Sequence, residues 1–357
     1  FRFDRLLGAL TGLPRGQLVE AVEHGFGQLP PGCHIQLQRQ TREQVLVSLR
    51  ELIQLNWRRL RSELQSYAAL RGRNVVTMVE FLRDQAIELD DIYRGSGRSG
   101  WTQLKRDAGL LAGEASMGQD KLGRRFVDLL HFDEPERIDQ LRRVSEERGN
   151  YRVQSPRQQR LLQMLSYQIE AAGTQTCSGE DFLGRLTQYP ELCDELGELA
   201  QVLASRSLKP VVRVPGLEDV PLSLHGSYGI REILTAVGWL TAERRTPFQA
   251  GVLALYERQA ELLFVTLDKR DGYHERIAYH DYAISPERFH WQSQNAAGPE
   301  TKAGQRYLNS PHNGWQFQLF VRGSKGKPYV ACGPVVLERA DTFSQRLASF
   351  ASTQECA

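Results

Sequence analysis

The spacing of apolar residues changes near residue 207, and this change limits the folds open to the chain. Before it, apolar residues recur at the three- and four-residue spacing of amphipathic helices, as in Leu161, Leu162 and Leu165. Pro156 precedes this run, and proline is tolerated in a first helical turn, so a helix is predicted to begin there. Because no segment of 20–50 residues repeats in the sequence, we predict a helical bundle rather than a solenoid.

Beyond residue 210 the pattern becomes mixed and then β-rich. The apolar run Leu262–Leu267 predicts a buried strand, and alternation predicts strands at Phe289–Gln294 and Phe317–Val321. Gly333-Pro334 separates two further apolar runs and predicts a kink or a β-bulge. We therefore predict the α+β class, with an all-α helical bundle followed by a mixed, barrel-like domain.

The composition is that of ordinary globular domains. The 357 residues include 45 Lys+Arg and 43 Asp+Glu, a net charge of +2, so any nucleic-acid contact must use locally placed cations. No apolar run is long enough for a membrane-spanning helix. None of the five cysteines forms a C-x-x-C pair, which argues against a zinc site or a disulfide framework and for reduced thiols in a cytoplasm.

No catalytic motif is evident in the sequence. The stretch Gly323–Pro328 has the glycines and lysines of a phosphate loop but ends in proline, so we predict a turn that could touch phosphate. His274, His280 and His290 match no metal-ligand spacing and are predicted to be solvated loop residues. We predict neither a metal site nor a cofactor in this chain.

The segment from Tyr273 to Asn295 concentrates aromatic rings beside amide and carboxylate groups. Rings can sandwich a flat heterocycle while polar groups bind its edge, so the segment is a candidate base-binding site. The spacing also allows a second interpretation. In it Phe289 and Trp291 face the core, while His290 and Gln292 face solvent.

Three segments resemble a single family: Leu262–Lys269, the run DYAISPERFHWQSQN at Asp281–Asn295, and Leu319–Arg322. This family is the C-terminal domain of unknown function that closes many bacterial superfamily-2 helicase–nuclease fusions. Phe1–Asp4 and Gly25–Cys33 resemble the stretch after the second motor lobe of the same proteins. The resemblance implies that the chain, which begins at Phe1, is a piece of a longer protein. It implies a motor-lobe tail at 1–35, a helical coupling domain at 36–206 and a DNA-reading domain at 207–357.

In type IV, modification-dependent restriction enzymes of this layout, the terminal domain resembles the SET- and RING-associated (SRA) fold, a PUA-like barrel. That fold flips 5-methylcytosine out of the duplex and holds it with two stacking aromatics and an aspartate. The resemblance implies that Asp281 accepts from the cytosine amino group, with Asp268 and Asp271 as rivals. The implied base-binding residues are Tyr279, Asp281, Tyr282, Trp291, Gln292 and Ser293.

The resemblance also implies partners. Double-stranded, modified DNA would be held at its phosphates by six cations: Lys269, Arg288, Arg306, Arg322, Lys325 and Lys327. The resemblance further implies that ATP and Mg act in an upstream motor, beside an upstream nuclease, in a cytoplasmic enzyme of phage defence. Two other functions stay open: a sequence-specific reader of unmodified DNA, and a structural module that docks a nuclease partner or a second copy of the chain.

Overall fold

The structure is a computed structural model that describes part of the chain. The described residues are 56–72, 75–85, 87–93, 100–116, 118–170, 178–207, 210–244, 248, 250–268, 281–285, 288–293, 297–310, 312–339 and 348–352. By its packing the chain divides into two units. The first comprises Phe1–Leu130, Val144–Arg148 and Arg185–Leu203, and the second comprises His131–Arg143, Gly149–Gly184 and Ala204–Ala357.

The described residues form helices first and strands later. The α-helices are α1 (Trp57–Arg71), α2 (Met78–Gln85), α3 (Leu89–Tyr93), α4 (Trp101–Asp107), α5 (Gln119–Arg124), α6 (Pro135–Glu147), α7 (Pro156–Ile169), α8 (Gly179–Leu186), α9 (Pro190–Arg206), α10 (Ile230–Ala236) and α11 (Lys302–Leu308). Short 3-10 helices cover Arg125–Leu129, Arg148–Asn150 and Tyr256–Arg258. The strands are β1 (Ser227–Tyr228), β2 (Val252–Leu255), β3 (Ala260–Asp268), β4 (Tyr282–Ala283), β5 (Arg288–Trp291), β6 (Gln316–Ser324), β7 (Tyr329–Arg339) and β8 (Ala348–Ser352).

The predicted α+β class is therefore confirmed, with a helical N-terminal part and a later mixed sheet. The sheet has the order β2-β3-β6-β7-β8-β5-β4, and β1 adds to β7. Strands β3 and β6 are parallel neighbours, paired from Ala260↔Gln316 to Asp268↔Ser324, and the other pairs are antiparallel. A parallel pair requires a crossover connection, and here the crossover carries β4, β5 and α11.

The sheet of the second unit is packed on both faces because its strands alternate side chains between two cores. One core joins Leu262, Phe264 and Phe320 to apolar residues of α7 and α10. The other joins Leu263 and Val265 to residues of β5, β6, β7 and α11. The near-continuous apolar sequence of β3 follows from this burial on both faces.

Local signals read from the sequence are confirmed where they fall on described residues. Helix α7 begins at Pro156, and the Ser155 hydroxyl accepts from the backbone N–H of Gln158 as an N-cap. At Gly333 the backbone enters the left-handed region with φ of 90°, and the register of β6 and β7 shifts between Leu319 and Phe320. The predicted kink at Gly333-Pro334 is thus a β-bulge within one long strand.

In the first unit, Glu195 of α9 caps α4. Its buried carboxylate accepts from the backbone N–H groups of Trp101 (2.7 Å) and Thr102 (3.0 Å) and from the Tyr93 hydroxyl (2.7 Å). The two backbone donors would otherwise be orphaned at the start of α4. Burial raises the pKa of Glu195 despite the hydrogen bonds.

In the second unit, Arg137 of α6 is the centre of a buried ion network. Its guanidinium donates to Glu134 (2.8 Å) and Glu232 (2.9 Å), and its carbon lies 4.2 Å from the centroid of the Tyr228 ring. His131 Nε2 lies 2.7 Å from the second carboxylate oxygen of Glu232. The network ties α6 to β1 and α10. Each of its buried charges has a partner, which is the condition under which buried charges are tolerated.

The predicted boundaries at 36 and 207 remain predictions, because the units above are defined by packing rather than by residue pattern. Residues 1–35, the predicted motor-lobe tail, lie outside the described residues. In the part of the chain that the structure describes, no helix is long and apolar enough to cross a membrane.

Candidate nucleic-acid interface

The hairpin of β4 and β5 presents two stacked rings at one end of the sheet order. Tyr282 and His290 are directly paired across the strands, and their rings lie 4.7 Å apart with an interplanar angle of 12°. Tyr282 is 52% exposed. The pair is thus a flat, solvent-facing platform, a surface on which a further planar group can stack.

Asp281 stands at the base of this hairpin. Its carboxylate accepts from the backbone N–H of Gln292 at 2.9 Å. At the other end, the N–H groups of Ile284 and Ser285 donate to the carbonyl of Arg288, at 2.8 and 3.1 Å. Asp281 therefore holds the two hairpin strands together beside the ring pair, and the predicted residues Asp281, Tyr282 and Gln292 do come together.

Two other predicted base-binding residues lie in the protein interior. Trp291 is 3% exposed and meets Tyr307 edge-on, with ring centroids 5.2 Å apart. Ser293 is buried, and its hydroxyl lies 3.4 Å from the carbonyl of Ala297. Because Phe289 packs against the same core, the structure favours the core alternative for Trp291, and its role as a pocket wall stays a prediction.

Arg288 lies on the opposite strand face from Trp291, beside His290. It forms an ion pair with Glu338 of β7, in which Nε lies 2.8 Å from the carboxylate, and both side chains are exposed. The ion pair raises the pKa of Arg288 and lowers the pKa of Glu338. Arg288 thus extends the Tyr282–His290 surface with a guanidinium that already has an exposed carboxylate partner.

Three predicted phosphate contacts share the β6–β7 hairpin: Arg322, Lys325 and Lys327. The Arg322 Nε donates to the Thr266 hydroxyl at 2.9 Å, while both lysines are exposed around Gly326, whose φ is 84°. This basic turn and Glu338 lie at opposite ends of β7, an 11-residue strand that spans roughly 35 Å. The basic turn and the ring pair are therefore separate patches.

Arg306 has a structural partner that the sequence did not indicate. Its Nε and Nη2 lie 3.1 and 3.0 Å from one oxygen of Glu261, a buried carboxylate in β3. The guanidinium carbon lies 4.7 Å from the ring centroid of Trp315. The guanidinium is thus held by a buried carboxylate, and the role of Arg306 as a phosphate contact stays a prediction.

Sequence reasoning missed the contribution of His290, which it assigned to a solvated loop. Alternation placed His290 on the face opposite Trp291, but only the observed register pairs it with Tyr282. Five further residues named in the sequence analysis lie outside the described residues: Lys269, Asp271, His274, Tyr279 and His280. Among the residues that are described, no group of three or more His, Cys, Asp or Glu side chains could hold a metal ion.

Residues 222–350 match the family model of a domain of unknown function, DUF3427. This segment contains the β4–β5 hairpin, α11 and the basic turn. No curated protein matches the chain.

Proposed function

We propose that residues 207–357 form a DNA-reading domain that contacts a nucleobase through the Tyr282–His290 ring pair. The observation that carries the proposal is this parallel, solvent-facing stack, held in place by the hydrogen bond from Gln292 to Asp281. A base stacked on such a ring contributes about 1–3 kcal/mol to the binding free energy, whichever base it is.

The basic turn supports the same proposal. Lys325 and Lys327 are exposed at the tip of the β6–β7 hairpin, and cations at a loop tip are positioned to neutralise phosphates. Since the net charge of the chain is only +2, affinity for DNA would rest on such local cations rather than on the whole domain.

The narrower proposal is that the base is 5-methylcytosine, flipped from a duplex into an SRA-like, PUA-like domain. Unstacking a base costs a few kcal/mol, which stacking and edge contacts can offset. One methyl group adds only about 0.8 kcal/mol of burial, so binding alone would discriminate methylated cytosine weakly. We propose that recognition instead licenses an upstream helicase and nuclease, which use ATP and Mg, in a cytoplasmic restriction enzyme directed at foreign DNA.

The proposal is tested with duplex oligonucleotides carrying plain, methylated or hydroxymethylated cytosine. Tyr282→Ala should weaken binding of the preferred duplex about tenfold or more, while Tyr282→Phe retains the ring and should bind as the wild type does. Ile284→Ala, in the same hairpin and 53% exposed, is the matched control without a ring. Unchanged binding by Tyr282→Ala would refute the base contact, and equal binding of all three duplexes would refute the modification reader.

A further inference from the structure

A second aromatic surface lies at the start of strands β3 and β6. We propose that Tyr256 and Trp315 form a stacking site for an unpaired base of a single DNA strand. The proposal rests on the proposed DNA binding of this domain but concerns other residues and another form of DNA. Tyr256 follows β2 and Trp315 precedes β6, so neither belongs to the β4–β5 hairpin.

Tyr256 is the exposed member of the site. Its side chain is 68% exposed, and its ring meets Trp315 edge-on, with centroids 5.7 Å apart and an interplanar angle of 86°. An edge-on contact fixes the orientation of the tyrosine while leaving most of its ring in solvent. A nucleobase can therefore stack on Tyr256 without prior rearrangement of the protein.

A buried carboxylate positions the cation of the site. Glu261 is 1% exposed, on the core-facing side of β3, and it accepts from Arg306 and from the Tyr307 hydroxyl. The guanidinium of Arg306 lies 4.7 Å from the Trp315 centroid and 5.6 Å from the Tyr256 centroid. An apolar residue in place of Glu261 would avoid the desolvation penalty of a buried charge. We therefore attribute the ion pair to the fixed position that it gives the Arg306 guanidinium.

The backbone around the two rings is also held. The Asn313 side chain donates to the Arg306 carbonyl at 2.7 Å and accepts from the Trp315 N–H at 3.0 Å. Gln259 closes the turn after Tyr256 in the left-handed region, with φ of 48°, which is unfavourable for a residue with a Cβ atom. Strained backbone of this kind is concentrated at binding sites.

The surroundings favour a single ring as the occupant. The neighbours Glu257, Gln259 and His312 are polar and exposed, so the aromatic surface is small and has a polar border. A protein partner would need a broader apolar patch. Lys302 is exposed one turn before Arg306 on the same helix face, where it can reach a strand phosphate.

The test uses the full chain and a fluorescein-labelled, mixed-sequence single-stranded oligodeoxynucleotide, with binding read by fluorescence anisotropy. Tyr256→Ala should weaken single-strand binding about tenfold to hundredfold, and Tyr256→Phe should bind as the wild type does. Ile284→Ala, at an exposed position outside both ring pairs, is the control and should keep single-strand affinity. Circular dichroism melting confirms that each surface variant is folded.

The proposed function and the single-strand site are refuted by different results. Single-strand binding that is absent in the wild type, or unchanged in Tyr256→Ala, would overturn the stacking site whatever happens at Tyr282. Unchanged duplex binding in Tyr282→Ala would overturn the proposed function and leave the single-strand result standing. A Tyr256→Ala effect on light scattering without one on DNA binding would assign the surface to protein docking and also overturn the site.

Discussion

The carboxylate of Asp281 accepts from the backbone N–H of Gln292, 2.9 Å away, across the two strands of the β4–β5 hairpin. The residue that the family resemblance implied as a base-edge acceptor therefore also has a structural task. An acceptor oxygen at this position keeps Tyr282 opposite His290, and the stacked pair depends on that register.

Substitution of Asp281 separates these two tasks. Asp281→Asn retains an acceptor and should preserve both the β4–β5 hairpin and the binding of duplex DNA. Asp281→Ala should lose one hydrogen bond, worth about 1 kcal/mol of stability, and should therefore also weaken duplex binding. Duplex binding is measured by anisotropy and unfolding by urea titration. Loss of binding in Asp281→Asn with unchanged stability would instead assign the carboxylate directly to the base.

Trp291 should behave as a core residue. Trp291→Ala removes a ring that is 3% exposed and should lower the free energy of unfolding by about 3–5 kcal/mol. Tyr282→Ala, at a position that is 52% exposed, should change it by no more than about 0.5 kcal/mol. Urea titration of both variants checks this, and a stable Trp291→Ala that loses only DNA binding would restore the pocket-wall interpretation.

Helix α11 packs against the preceding loop through Gly304. A Cβ atom at Gly304 would lie 2.0 Å from the carbonyl oxygen of Gly298, which is backbone and cannot rotate away. Gly304→Ala should therefore displace α11 and destabilise the fold by about 1–3 kcal/mol. Gly184→Ala in α8 is the control: an added Cβ meets nothing within 4 Å there, and stability should rise by roughly 0.5–1 kcal/mol. Equal melting temperatures for the two variants would contradict this packing.

Acid should weaken the Arg137 network through Glu232. Burial raises the pKa of Glu232, but the charges of Arg137 and His131 lower it by more. The net result is a pKa of about 2, against an ordinary value of 4.5. A lowered pKa stabilises the fold above the unfolded value, and this contribution is lost as pH falls from about 4.5 to about 2. The stability advantage of wild type over Glu232→Gln should shrink across that window, as measured by urea titration at several pH values. A constant difference would mean that Glu232 is not charged in the network.

The basic turn should contribute to affinity without sequence preference. Lys325→Ala and Lys327→Ala should each weaken every duplex alike and reduce the slope of log affinity against log salt by about 1. Lys121→Ala, an exposed lysine of α5 in the first unit, is the control and should leave the slope unchanged. A Lys325→Ala effect confined to methylated duplexes would place that lysine at the base instead.

The sequence predicted those features that depend on local spacing. The apolar run around Leu262 and the helix start at Pro156 need only neighbouring residues, and both were found. The ring pair needs the register of β4 on β5, which side-chain spacing along one strand cannot specify. The ion pair of Arg306 depends on Glu261, which lies 45 positions away in the sequence. The only sign of this partner in the sequence is a single acidic residue inside an apolar run.

The crossover between the parallel strands β3 and β6 has an evolutionary consequence. The chain leaves β3 at Asp268 and returns at Gln316, and this one connection carries Tyr282, His290 and Arg306. One contiguous stretch thus holds these residues, while the strands that flank it form the core. Transplanting this stretch between homologues should therefore transfer DNA preference with it.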